Sequence, residues 1–223
     1  MEEFHLKLAT IVSVPFVENT YVAHLAGRKD CVVVDPGLEP DKIFAYLDAQ
    51  GLTPAAILNT HGHSDHIAGN RAMKDRWPDC PLVIGAADAA KLTDAVANLS
   101  APFGIELISP EADRLVREGE TYSAAGFDLE VFETPGHSCG HVIFLWKAGQ
   151  PWRVFGGDVL FEGSIGRTDF PDGSFEQLAE AIHGKLFTLP DKTIVLPGHG
   201  GPTTVGQEKR NNPFVGAPAG YAG

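Results

Sequence analysis

The sequence predicts a layered α/β fold with β-sheet inside and helices outside. Two observations carry this expectation. Short runs rich in Val, Ile and Phe alternate with helical stretches down most of the 223 residues, and Gly or Pro punctuates them. No composition break or low-complexity linker divides the chain, so residues 1–210 are expected to form one domain, with 211–223 as a loosely ordered tail.

The strands are expected in two blocks. In the first half they are LKLATIVSV (6–14), NTYVAHLA (19–26), CVVVDPG (31–37), AAILNT (55–60) and PLVIG (81–85). In the second they are FDLEVFETPG (127–136), HVIFLW (141–146), WRVFGGD (152–158) and KTIVLPGHG (192–200). DKIFAYLDAQG (41–51) reads as a helix: Ile43, Phe44 and Leu47 share a face, Pro40 precedes the start and Gly51 marks the stop. HIAGNRAMKDRW (66–77) and SFEQLAEAIHGKLF (174–187) are the other two helices, and Ser174 stands three residues before Gln177, the spacing of an N-terminal capping pair. The weakly periodic segment 93–120 is expected to line a substrate mouth.

Charge narrows the function classes. Lys and Arg number 17 against 29 Asp and Glu, a formal net charge of −12. No cationic excess exists to displace counterions from a phosphate backbone, and an acidic surface is repelled by anionic lipid, so neither nucleic acid nor membrane is an expected partner. No run approaches the roughly 18 apolar residues of a membrane span. The start, MEEFHLKLATIVSVPF, carries two acidic residues where a secretory leader carries positive charge, which points to a cytoplasmic protein. Cys31, Cys80 and Cys139 are scattered and offer neither a disulfide framework nor a zinc-finger spacing.

The chemistry-bearing segment is Asn59-Thr60-His61-Gly62-His63-Ser64-Asp65-His66, between an apolar strand and a helix. Imidazole and carboxylate hold Zn²⁺, Mn²⁺ or Fe²⁺ in open sites, and side chains this close together can converge around a tight turn. Three single positions repeat the theme: His137 in TPGHS, Asp158 at the end of WRVFGGD, and His199 in LPGHG. Each follows a β-run and is flanked by Gly, so side chains from several strand ends can meet. His141 opens the strand HVIFLW and is expected to pack beneath the site. His183 is expected to be solvent-facing or half-buried, and Cys139, beside Gly140, reads as a small packing residue.

The motif order VVVDPG, THGHSDH, TPGHS, GGD and LPGHG resembles the metallo-β-lactamase fold superfamily, whose signature is H-x-H-x-D-H followed by separate His, Asp and His ligands. The resemblance implies a four-layer αββα sandwich with metals at one edge between the two sheets. It assigns His61, His63 and His137 to one divalent ion and Asp65, His66 and His199 to a second, with Asp158 bridging both; zinc, iron and manganese all suit such ligands. Asp35 matches a carboxylate that orients a ligand histidine, although from the residues alone it is equally a turn residue at a strand end. Two ions imply hydrolysis. Water held between them loses a proton near neutral pH, and the bridging hydroxide attacks a carbonyl polarised by a metal. Asp65 is expected to steer that hydroxide.

Within the superfamily, Asp158 occupies a position where true β-lactamases carry Cys or lack a bridging carboxylate. GDVLFEGSIGRTDFPDG (157–173) and LPGHGGPTTVGQEKRNNPF (196–214) resemble the glyoxalase II, or hydroxyacylglutathione hydrolase, group. The expected activity is therefore hydrolysis of a small acyl thioester. The helical region that supplies glutathione contacts in full-length glyoxalase II is not in this sequence, and no residue is assigned to glutathione. Arg167 and Asp169 read either as a loop-fixing pair near the site or as a surface ion pair. The alternatives are a mononuclear iron persulfide dioxygenase using His61, His137 and Asp158, a lactonase or β-lactamase-type hydrolase, and a non-catalytic metal-binding or electron-transfer module.

Overall fold

Period-two alternation sorts the strand residues into inner and outer faces, and the two faces acquire different neighbours. A computed structural model describes residues 5–222. Its first six-stranded sheet runs in chain order: β1 (Leu6–Ser13), β2 (Glu18–Leu25), β3 (Asp30–Val34), β4 (Thr53–Asn59), β5 (Leu82–Gly85) and β6 (Arg114–Val116). β1, β2 and β3 pair antiparallel; β3 to β6 pair parallel. Each parallel step needs a crossover. These are α1 (Pro40–Gln50), then α2 (Ser64–Ile67) with α3 (Asn70–Arg76), then a 3₁₀ segment, Ala86–Thr93.

The second half supplies β7 (Thr121–Ala124), β8 (Phe127–Glu133), β9 (Val142–Trp146) and β10 (Arg153–Gly157). A small hairpin of β11 (Leu160–Phe161) and β12 (Ser164–Ile165) follows, then α4 (Phe175–Gly184), β13 (Ile194–Pro197), β14 (Thr203–Thr204) and α5 (Val205–Asn211). The second sheet has the order β14-β13-β10-β9-β8-β7, with β10 and β13 parallel across α4.

The sheets bury their inner faces against each other: Val32, Val34, Leu58 and Val83 of the first meet Phe127, Val131, Phe144, Trp146 and Phe155 of the second. The alternate residues Cys31, Val33 and Ile57 face Ile43 and Leu47 of α1 and Met73 of α3. On the far side, Ile143, Leu145 and Val154 meet Leu178 and Ile182 of α4 and Val205 of α5. This is the αββα order, and both sides of β3 and β9 are buried, which explains their unbroken apolar reading.

The expected helix over 66–77 is two helices. The Gly69 N–H leaves the helical ladder and donates to Pro36 O at 2.7 Å, which separates α2 from α3. The helix expected over 174–187 stops at Gly184 and resumes as a 3₁₀ turn, Leu186–Thr188, while Ser174 caps it by accepting from the Gln177 N–H. Strands β6, β7, β11, β12 and β14 and helix α5 escaped the sequence reading because each is short or lacks a periodic apolar pattern. Beyond α5, Val215 is buried against the helical layer, its carbonyl lies 2.7 Å from His183 Nε2, and Tyr221 stacks on the half-buried His183 ring at 4.8 Å. Met1–Phe4 of the N-terminal run and Gly223 of the tail lie outside the described residues. Among the described residues, no helix is long and apolar enough to cross a membrane.

Candidate metal centre

Four strand ends open on one edge between the sheets, and each delivers part of one cluster. The loop after β4 carries His61, His63, Asp65 and His66; the loop after β8 carries His137; Asp158 follows β10 directly; His199 follows β13. The His199 loop is tied to β2: the Tyr21 hydroxyl donates to Pro197 O at 2.8 Å, the Asn19 amide to Pro197 O and Gly200 O, and the Asn19 N–H to Gly198 O at 2.7 Å. Gly198 is needed there. A methyl group on it would lie 2.2 Å from Asp158 Oδ1 and 2.6 Å from His66 Cε1.

All seven expected side chains come together. The ligand atoms of His61, His63 and His137 lie within 4.8 Å of one another, as do those of Asp65, His66 and His199. Asp158 stands between the two sets: its Oδ2 is 3.5 Å from His137 Nε2 and 3.5 Å from His199 Nε2, and its Oδ1 is 3.5 Å from His66 Nε2. His61, His66 and Asp158 form a third convergent group, and His137 Nε2 reaches the same carboxylate.

The hydrogen bonds set the tautomers. His137 Nδ1 faces Arg167 O at 2.8 Å and His199 Nδ1 faces Phe16 O at 3.1 Å; a carbonyl only accepts, so both Nδ1 atoms carry the proton and both Nε2 lone pairs face the centre. His66 Nδ1 faces Asp35 Oδ2 at 3.1 Å with the same result. Thr60 donates its hydroxyl to Asp35 Oδ2 at 2.7 Å and therefore accepts from His61 Nδ1 at 3.1 Å. Asp35 thus orients one histidine directly and another through Thr60, the carboxylate–histidine arrangement that fixes a ligand ring. His141 has the same tautomer, but its Nε2 accepts the Asp158 N–H at 3.0 Å, which leaves no lone pair for a cation. It stacks beneath His61 at 4.9 Å.

These residues fit a metal ion pair. The buried atoms His61 Nε2, His66 Nε2 and Asp158 Oδ1 have no hydrogen-bond partner, and His63 Nδ1 faces His137 Nε2 at 2.9 Å. Orphaned buried acceptors aimed at one another are costly unless a cation lies among them. Burial, and then the neighbouring histidines, hold the His61 ring well below its usual range; the same causes bring His63 down to about 2, and burial also lowers His137. These rings are neutral, the form that binds metal. Burial lowers His66 and His199 too, but Asp65 and Asp158 outweigh it and raise both. Burial pushes the Asp65 carboxyl up, yet His66 and His199 hold it well below the usual carboxylate range. That half of the site calls for positive charge, which a divalent ion supplies as well as two protons do.

Two groups that the sequence reading missed hold the loops in register. Asp88 is fully buried; its Oδ2 accepts the Gly62 N–H at 2.8 Å and the Ser138 hydroxyl, and its Oδ1 accepts the Gly140 N–H at 2.8 Å. One carboxylate therefore ties the loop of His61 and His63 to the loop of His137. Lys91, one 3₁₀ turn on, pairs with Asp88 at 3.2 Å and with Asp172 at 2.6 Å, and donates to Ser138. The available signal was an Asp and a Lys three apart in an otherwise small, apolar run, GAADAAKLT. Asp88→Ala orphans two buried N–H groups, each costing about 1–3 kcal/mol. Urea unfolding is expected to show a loss of about 3 kcal/mol, and metal titration a weakening of about ten- to hundredfold. Unchanged affinity would remove Asp88 from this role.

Cys139 is exposed rather than packed; it lies beside Asp88 and Asp172, and burial followed by the Asp88 charge pushes its thiol up to about 11, so it is not a poised nucleophile. Arg167 and Asp169 form a two-bond pair at 2.7 Å each on an exposed loop at the mouth of the site. Leu99 and Phe103, from the segment expected to line the mouth, do line the cavity in front of the cluster.

Comparison with known proteins agrees with this geometry. A family model described as the metallo-beta-lactamase superfamily matches residues 14–199. A probable metallo-hydrolase, YqgX, of Bacillus subtilis (strain 168) is 42% identical over 202 residues, covering 90% of this chain and 93% of that one. Hydroxyacylglutathione hydrolase GloC of Haemophilus influenzae (strain ATCC 51907 / DSM 11121 / KW20 / Rd) is 35% identical over 195 residues, 84% of this chain and 88% of its own. Among solved structures, BLEG-1, described as a B3 metallo-beta-lactamase, superposes with a TM-score of 0.89 at 36% identity, covering 94% of this chain and 99% of that one. TTHA1623 in a di-iron-bound form superposes with a TM-score of 0.82 at 35% identity, covering 92% and 99%.

Proposed function

The chain belongs to the metallo-beta-lactamase superfamily, and we propose that within it the protein is a binuclear metal-dependent hydrolase of small thioesters. The observation that carries the reading is the placement of Asp158, with one carboxylate oxygen 3.5 Å from a histidine of each set. His61, His63 and His137 would hold one ion, Asp65, His66 and His199 the other, and Asp158 would be shared. When bound, the ions supply Lewis acidity toward water and toward the substrate carbonyl at neutral pH. A di-iron form of a 35%-identical structure supports double occupancy, and the 35% identity to a hydroxyacylglutathione hydrolase supports the thioester.

The chain's own residues divide the remaining work. Asp65, ionised at the cavity wall with Oδ2 3.3 Å from His199 Nε2, accepts a hydrogen bond from the attacking water and aims it. Asp35 and Thr60 keep the His66 and His61 rings from turning. Phe170 packs edge-on against His63 and His137 and excludes bulk water from that side. The leaving thiolate, from a thiol of pKa about 8.5, departs without an acid to protonate it, which a thioester permits and an amide does not.

A second reading, hydrolysis of a β-lactam amide, draws support from the 36%-identical BLEG-1. One panel separates the readings: the metal-replete protein with a thioester, a lactone, a β-lactam and, for the single-iron alternative, a persulfide with oxygen uptake followed. Thioester loss under anaerobic conditions, at least tenfold faster than β-lactam loss, is the expected result. Oxygen uptake without thioester loss, or a preference for the β-lactam, overturns it.

A further inference from the structure

The cavity in front of the cluster has a hydrocarbon wall of which the hydrolysis itself uses only Phe170. It encloses about 390 Å³, and beside the His and Asp side chains its surface is formed by Phe16, Leu99, Phe103, Phe161, Ile165 and Phe170. Separate segments deliver these residues: the turn after β1, the loop before β6, the β11–β12 hairpin and the loop that follows it. Phe16 meets Phe103 edge-on at 5.3 Å, and the Phe161 ring lies 6.2 Å from His199. Phe16 is 37% and Phe103 61% exposed. Large rings left facing water at the mouth of a cavity mark a surface that a ligand covers.

The charge pattern points the same way. Arg167 is the one Lys or Arg among the described residues lining the cavity, and both of its bonds go to Asp169 while its guanidinium lies 4.4 Å over the Phe170 ring. Lys91, which does not line the cavity, is buried between Asp88 and Asp172. The chain as a whole carries −12. A substrate arm bearing carboxylates, such as glutathione, finds no unpaired Lys or Arg on this wall; an apolar arm gains buried area.

Resting on the thioester reading above, we propose that the substrate carries an uncharged, apolar arm, aliphatic or aryl, which this cavity binds, with Phe16, Phe103 and Phe161 as specificity-determining residues. The shared chemistry is an apolar group next to the thioester carbonyl, on the acyl or the thiol side. Uniform contacts of this kind are made equally in the ground and transition states, so the arm acts mainly through KM.

The test uses the metal-replete, full-length protein with two series. One varies the acyl group from acetyl through butanoyl and hexanoyl to phenylacetyl on N-acetylcysteamine; the other varies an alkyl thiol on a fixed acetyl group; S-lactoylglutathione is the charged comparison. In the series that mimics the natural arm, kcat/KM is expected to rise about three- to fourfold per methylene until the cavity is full. Phe103→Ala, on an exposed loop, is expected to flatten the rise, and Phe175→Ala, exposed on α4 and outside the cavity, to preserve it. S-alkyl thioethers, which cannot be hydrolysed, are expected to show the same gradient in Kd by calorimetry. Turnover of thioesters with no gradient in either series, or S-lactoylglutathione better than every uncharged thioester by tenfold, overturns the apolar arm and leaves the hydrolase standing. If no thioester is hydrolysed the hydrolase reading falls, and the thioether gradient alone then supports the apolar arm or, by its absence, overturns it.

Discussion

Asp158→Ala is expected to lower kcat/KM by about a thousandfold while the protein stays folded. The size follows from the shared position. Losing a carboxylate that touches both histidine sets removes about 4 kcal/mol of transition-state stabilisation if the two ions act together, and each 1.36 kcal/mol is about a factor of ten. The fold is expected to survive because Asp158 Oδ1 makes no hydrogen bond, and the contact that anchors the segment, the Asp158 N–H to His141 Nε2, belongs to the backbone. Asp158→Asn keeps the shape and removes the charge, so it is expected to sit close to the Ala variant in activity. Steady-state kinetics with circular dichroism checks both. Activity within tenfold of the parent in the Ala variant would remove Asp158 from the shared role.

Stripping the metal is expected to abolish hydrolysis and to lower thermal stability together. The apo site leaves three carboxylates, Asp35, Asp65 and Asp158, around His66 and leaves buried acceptors unpaired. An ion bound only by the folded state adds about 4 kcal/mol when present at 1,000 times its Kd. For a chain of this length, about 1 kcal/mol moves Tm by about 2–4 °C, so chelation is expected to lower Tm by about 8–16 °C. Restoring zinc, iron or manganese is expected to recover both properties. Turnover before and after chelation measures the first and calorimetry the second; a Tm that ignores chelation would contradict a buried ion pair.

The cluster was legible because its residue types are scarce and its spacing is local. His61, His63, Asp65 and His66 share one loop, and His137, Asp158 and His199 each end a β-run whose apolar pattern is plain in the chain. The layering was legible for the same reason: β3 and β9 alternate between two buried faces. What escaped depends on contacts distant in sequence. The break between α2 and α3 comes from Pro36 O receiving the Gly69 N–H. The roles of Asp88 and Lys91 need two loops 50 residues apart to approach, as the Asp88–Ser138 bond shows. Helix α5 starts at a Thr204 cap that accepts the Gln207 N–H, but Val205, Gly206 and Asn211 weaken its intrinsic helical pattern. Cys139 looked like a packing residue beside a glycine and is exposed: its backbone N–H donates to Asp172, and its thiol lies near the Asp88 and Asp172 carboxylates.

The central claim is that seven side chains hold two cations with Asp158 between them. Anomalous diffraction from crystals of the protein grown with its metal tests this most directly. Two peaks are expected, one among His61, His63 and His137 and one among Asp65, His66 and His199, with the Asp158 carboxylate touching both. A single peak that leaves His199 and Asp65 without an ion, or no peak at Asp158, would contradict it.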